Sequence, residues 1–128
     1  MENEAIVNLL EFVKSDAALG LAFAFGELPL GEGVALQVVG GDDRGAFLNK
    51  KTEEKRVRLL LLVRKKNLEE AWSAALKLER AFRRSFLFCN EIDPRLVLAD
   101  VDSGTAFVSS DANGYVYKLT GSVVVKLS

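Results

Sequence analysis

The sequence predicts an α+β fold, two helices packed on a mixed, mainly antiparallel sheet, in one domain spanning residues 1–128. Three observations carry this. Leu59, Leu60, Leu61 and Leu62 sit unbroken between Val57 and Val63, with Arg56 and Arg58 before the run and Arg64, Lys65 and Lys66 after it. A run this short with charged flanks reads as a strand paired centrally in a sheet or covered on both faces. Directly after it, Leu68, Ala71, Ala75, Leu78 and Phe82 recur at spacings of three and four, the stripe of an amphipathic helix. The chain beyond Pro94 then alternates apolar and polar residues between turn signals, of which Asn113-Gly114 is the strongest hairpin signal in the sequence.

Taken in order, residues 2–18 form a helix with Ile6, Leu9, Leu10, Val13 and Ala17 on one face. Glu2 and Glu4 suit its N-terminal dipole, and Gly20 supplies a C-terminal stop. Leu21, Phe23 and Phe25 share one side of a short extended segment, and GELPLGEG is a tight turn into a strand. In that strand Val34, Leu36 and Val38 alternate with Ala35, Gln37 and Val39 until Gly40 and Gly41 end it.

Residues 42–56, DDRGAFLNKKTEEKR, are polar and carry both charge signs, and they read as a long hairpin loop. Connections beyond about 12 residues are usually functional or disordered in compact domains, which makes this one a candidate contact surface. The other reading is a solvated, variable loop pinned to the core by Phe47 and Leu48.

The second helix opens at Asn67, where an N-x-x-E arrangement lets the Asn side chain accept an orphan N–H while Glu70 reaches back. Trp72 and Leu76 widen its apolar face. Glu69 and Glu70 in the first turn, with Arg80, Arg83 and Arg84 in the last, follow the macrodipole, so these arginines read as helix-end charges before they read as a nucleic-acid surface. Beyond Pro94, residues 95–102 and 105–110 are expected as paired strands joined through Ser103 and Gly104. The last strand places Tyr115, Tyr117, Leu119, Val123, Val125 and Leu127 on one side, with Gly121 marking a bulge or bend. The predicted order is helix, strand, hairpin with long loop, helix, three-stranded meander.

Composition narrows the chemistry. A formal charge of −1 argues against a strongly electrostatic nucleic-acid or membrane-surface protein. The chain has no histidine and a single cysteine, Cys89, so imidazole bases, disulfides within the chain and thiolate or imidazole zinc sites are excluded. In SFLFCNEI, Cys89 reads as a small buried apolar residue. Apolar runs fall far short of the ~20 residues of a membrane span, and the acidic MENEAIVNLL is unlike a basic secretory leader. A protein made in the cytosol, without cofactor or metal, is expected.

Carboxylate pairs occur at Asp42-Asp43, Glu53-Glu54 and Asp100/Asp102. The last pair, at i and i+2 on a strand, points to one face and suits a hard cation or acid–base work, but DVDSG lacks the ligand periodicity of a calcium loop. The glycines of GELPLGEG and VVGGDDRG lack the Gly-Lys-Ser/Thr of a phosphate loop. Lys50, Lys51, Lys55, Arg56 and Arg58 are interleaved with Glu53 and Glu54 and lack stacking aromatics, which supports no more than weak contact with a nucleic-acid backbone. No catalytic constellation is present, and a non-enzyme is expected.

The N-terminal helix, GELPLGEGVALQVVGG before a long loop, the RLLLLVRKKNLEEAWSAALKLERAF strand–helix unit with its Asn cap and Trp72, and the terminal GYVYKLTGSVVVKL strand together resemble the minor capsid or tail-terminator proteins of long-tailed bacteriophages and related prophages. The resemblance covers nearly the whole chain. It implies a non-enzymatic virion subunit, made in the host cytoplasm, that assembles with itself into a ring, a hexamer in that family. Such a ring caps the tail tube and offers the surface to which the head is joined, so the implied partners are the tail-tube protein and a head-completion or connector protein, with DNA only as a passing contact. On this expectation Asp42, Asp43, Arg44, Phe47, Lys50, Lys51, Glu53, Glu54 and Lys55 form an assembly loop, with Arg44, Lys50, Lys51 and Lys55 toward the DNA channel. Another neck or head-completion subunit is the nearest alternative, and a cytosolic ligand-binding α+β module a more distant one.

Overall fold

The structure, a computed structural model, describes residues 2–28, 30–44 and 54–126. Two long helices, α1 (Glu2–Ala17) and α2 (Leu68–Ser85), cover one face of a five-stranded sheet. Its strands are β1 (Phe23–Phe25), β2 (Gly33–Arg44), β3 (Glu54–Lys65), β4 (Leu96–Asp111) and β5 (Gly114–Lys126), in the order β1-β2-β3-β5-β4. A 3-10 turn, Phe86–Phe88, and a one-turn helix, α3 (Cys89–Ile92), lead from α2 to β4. β1 is parallel to β2 and the other pairings are antiparallel, so the expected α+β fold on a mixed, mainly antiparallel sheet is the one observed.

The leucine run sits at the centre. β3 is hydrogen-bonded to β2 on one side and β5 on the other, and its pleat sends Val57, Leu59, Leu61 and Val63 under the helices. Leu9, Val13, Leu78, Phe82, Leu119 and Val123 join them in one core, each burial contributing about 1.5–3 kcal/mol. Asn67 caps α2 as expected, its Oδ1 accepting the N–H groups of Glu69 at 2.9 Å and Glu70 at 3.2 Å.

Gly121 is needed for a different reason than a bend. A Cβ there would lie 2.6 Å from Phe82 Cε1 and 2.8 Å from the Asp100 carbonyl oxygen, so the missing side chain is what lets the Phe82 ring rest on β5. In the β4–β5 pairing the register shifts fall on β4, at Leu96/Leu98, Val101/Ser103, Ser103/Ala106 and Phe107/Ser109, the second of them opposite Gly121 and Thr120.

Those irregularities revise the expected meander. Ser103 and Gly104 make no turn; the two segments expected as strands are one strand, β4, and with β5 they form a two-stranded hairpin. The extra residues are absorbed as bulges. Gly104 leaves room for Glu79, whose Oε1 would be 3.0 Å from a Cβ at that position. Likewise Gly40 and Gly41 do not end β2, which continues to Arg44 opposite Arg58, Val57, Arg56, Lys55 and Glu54 of β3. In that register Asp42 stands opposite Arg56, Asp43 opposite Lys55 and Arg44 opposite Glu54. A single bulge at Val39 accommodates the shift. At the end of α1, the first residue in the left-handed region is Ala18 (φ 51°), ahead of Gly20 (φ 69°).

Asp93 is tied down in a way the sequence did not announce. It is 3% exposed, and its carboxylate accepts from Arg95 Nε at 2.9 Å, Arg95 Nη2 at 2.7 Å, the Arg95 backbone N–H at 2.9 Å and Asn8 Nδ2 at 2.8 Å. The bond from Asn8 fastens α1 to the turn that starts β4.

Candidate assembly surface

Of the residues expected in an assembly loop, Asp42, Asp43 and Arg44 lie in β2 and Glu54 and Lys55 in β3, while Phe47, Lys50, Lys51 and Glu53 lie outside the described residues. What the structure adds is a surface the sequence pattern assigned to the core. Leu68, Trp72 and Leu76 of α2 are 45%, 52% and 41% exposed. The buried face is carried instead by Ala71, Ala74, Ala75, Leu78, Ala81 and Phe82. Helical periodicity identifies an apolar arc, but its width exceeds what the sheet below covers.

The position of that stripe follows from Glu79, which shares its side of the helix. Glu79 Oε1 accepts the Thr105 N–H at 2.7 Å and the Thr105 hydroxyl at 2.9 Å, pinning α2 to β4. These donors, the backbone N–H first, hold the Glu79 carboxyl below its ordinary range. From Glu79 to Trp72 the helix rises about 10 Å, roughly three strand residues, and Phe82 near Asp100 fixes the direction as antiparallel to β4. Farther along β4 in that direction, Phe107 and Val108 are themselves 51% and 45% exposed. Phe107 packs edge-on against Tyr117, with ring centroids 5.5 Å apart and planes at 77°. Residues 107–111 are all exposed, and β4 is an edge of the sheet.

The opposite edge is also open. β1 pairs only with Val34, Ala35 and Leu36, so β2 from Val38 onward has β3 on one side and no strand on the other among the described residues. Phe25, Val38 and Val39 are 54%, 57% and 53% exposed there.

The sheet face away from the helices carries Arg56, Arg58 and Arg64 of β3 and Lys118 of β5. Arg56 pairs in register with Val124 and Arg64 with Val116, and both valines are buried although no helix covers them. The Arg56 Nε is shut off from solvent.

Asp100 and Asp102 do not converge on a cation site. Asp100 accepts the N–H of Val101, Asp102 accepts the Ser122 hydroxyl, and no cluster of three metal-ligating side chains occurs among the described residues. Cys89 is buried, donates to the Ser85 carbonyl at 3.4 Å, and burial raises its pKa, which leaves a poor nucleophile. The clefts are open and mixed in character, such as one of about 310 Å³ between Leu19, Leu21, Ala74 and the charged Lys65, Glu69 and Lys77.

No protein-family model and no curated protein sequence matches the chain. Its fold is similar to that of a protein chain in the solved structure of the virion of a native gene transfer agent particle. The two share 18% sequence identity with a TM-score of 0.53, and the likeness covers 92% of this chain and 91% of that one. At that identity it is the fold that is shared.

Proposed function

We propose that this chain is a structural virion subunit, a tail terminator that closes the tail tube of a phage-like particle as a ring and presents the surface on which the head is joined. The observation that carries this reading is the likeness of fold, over nearly the full length of both chains, to a protein chain of a gene transfer agent virion. It is supported by the two unlike, open edges of the sheet, because a ring subunit meets its neighbours through two different patches. The partners on this reading are further copies of the chain, probed as a hexamer, the tail-tube protein below and a head-completion protein above.

The test is to mix the purified chain with purified tail tubes and with head connectors, measure binding, and image the tubes by negative stain. The expected result is a six-fold ring on one end of the tube and an end to its growth. Binding to connectors but not to tubes replaces the terminator with the neighbouring neck role. Binding to neither, with capture of a small ligand, would favour the ligand-binding alternative. On the same reading, the segment 42–56 touches the tube or an adjacent subunit, and deleting it with capping intact would refute that contact.

A further inference from the structure

Between α1 and the segment that follows α2 runs an open groove of about 380 Å³. Asn8, Glu11 and Phe12 form one wall, and Phe88, Glu91 and Ile92 the other. The Asn8–Asp93 hydrogen bond ties the two walls together. Phe12 and Phe88 meet across the groove, their ring centroids 5.7 Å apart and tilted at 40°, and Phe88 is 36% exposed.

The charge of this groove is one-sided. Glu11 and Glu91 are exposed, one on each wall, and no lysine or arginine lines it. Neither carboxylate has an ion-pair or hydrogen-bond partner among the described residues. The bases on neighbouring elements are engaged elsewhere: Arg95 is held by Asp93 and Glu4, and Arg84 by Asp16. Lys14, three residues beyond Glu11 on α1, makes no ion pair with it.

We infer that the groove takes a segment of a protein partner in which an arginine or lysine stands beside a leucine or aromatic residue. A cation over the open face of Phe88 is attracted by the ring, and the two carboxylates supply its counter-charge. The stem of the basic residue and its apolar neighbour cover Phe12, Phe88 and Ile92. Charge selects against the other occupants. The phosphates of nucleic acid or of an anionic lipid surface are repelled by the glutamates, and a purely apolar segment strips water from them without replacing it. The groove lies on the helical side of the molecule, away from the sheet edges, so this inference does not rest on the terminator reading.

The experiment titrates the full chain, labelled with nitrogen-15, with the acetylated and amidated peptide Leu-Arg-Phe-Arg. Amide shifts centred on Asn8, Phe12, Phe88 and Glu91 are expected, saturating below about 5 mM peptide. The peptides Leu-Gln-Phe-Gln and Ser-Arg-Ser-Arg each bind about three- to tenfold more weakly, because each lacks one half of the match. Glu11→Gln with Glu91→Gln, both at exposed positions, weakens binding of Leu-Arg-Phe-Arg by about tenfold and leaves the remaining spectrum unchanged. Glu11→Lys with Glu91→Lys exchanges the preference and binds Leu-Glu-Phe-Glu instead, which a merely structural role for the glutamates does not produce. The absence of saturable shifts in the groove, equal binding of the glutamine peptide, or full binding by the glutamine variant overturns the inference. Groove shifts produced by duplex DNA or anionic vesicles overturn it as well. So does self-association that disappears in the glutamine variant without any response to peptide, which would assign the groove to a second copy.

Discussion

Gly121 and Asp93 show how single residues hold this fold. Gly121→Ala forces a methyl group to within 2.6 Å of the Phe82 ring, and overpacking of this kind costs about 1–3 kcal/mol. Chemical denaturation of the variant should show a lower midpoint with an unchanged slope. Asp93 predicts a pH dependence. Its carboxyl is held well below the usual range, first by the Arg95 side chain and further by the Arg95 N–H and Asn8. A depressed folded pKa contributes stability that is fully present above the unfolded value, roughly 4, and is lost as pH falls through the lower folded one. Unfolding free energy should therefore decline below about pH 4, and Asp93→Asn should flatten that acid limb. Losing the hydrogen bonds of this part-buried charged pair costs about 1.5–3 kcal/mol at neutral pH. Neither effect was legible beforehand: Gly121 read as a bulge or bend because Phe82 and Asp100 are distant in sequence, and Asp93, though Arg95 is two residues away, owes its burial and its Asn8 bond to the fold.

Among the elements, α2 was the best read. Its cap, its extent and its charge polarity are all local matters, fixed by residues within one or two turns of each other. Asn67→Ala should cost about 1 kcal/mol, measurable as a shift in thermal midpoint. The width of its apolar face was misjudged, because which side chains lie over the sheet depends on where the helix is set down. A paired substitution makes the distinction quantitative. Leu78→Ala, in the core, should cost about 2–5 kcal/mol, while Trp72→Gln, half exposed, should cost less than about 1 kcal/mol. Equal costs would mean that Trp72 is packed and unavailable to a neighbour. The strands were read less well. Glycines at 40, 41 and 104 signal breaks locally, yet each lies inside a strand because its neighbours supply a ladder or, at 104, need the space.

At the scale of the molecule, one core joins both long helices to the sheet. Helical circular dichroism and Trp72 emission should consequently report a single coincident unfolding transition. Two separated transitions would mean that the β4–β5 hairpin melts apart from the rest. The sequence by itself determined the fold class, the central strand, the capped amphipathic helix and the absence of histidine and thiol-pair chemistry, because composition and short-range periodicity are properties of the chain alone. Only the tertiary structure decided which edges of the sheet stay open, which apolar residues are left outside, and how acidic β4 stands across the sheet from basic β3. Those features arise when strands distant in sequence are set side by side, and no local pattern encodes that juxtaposition.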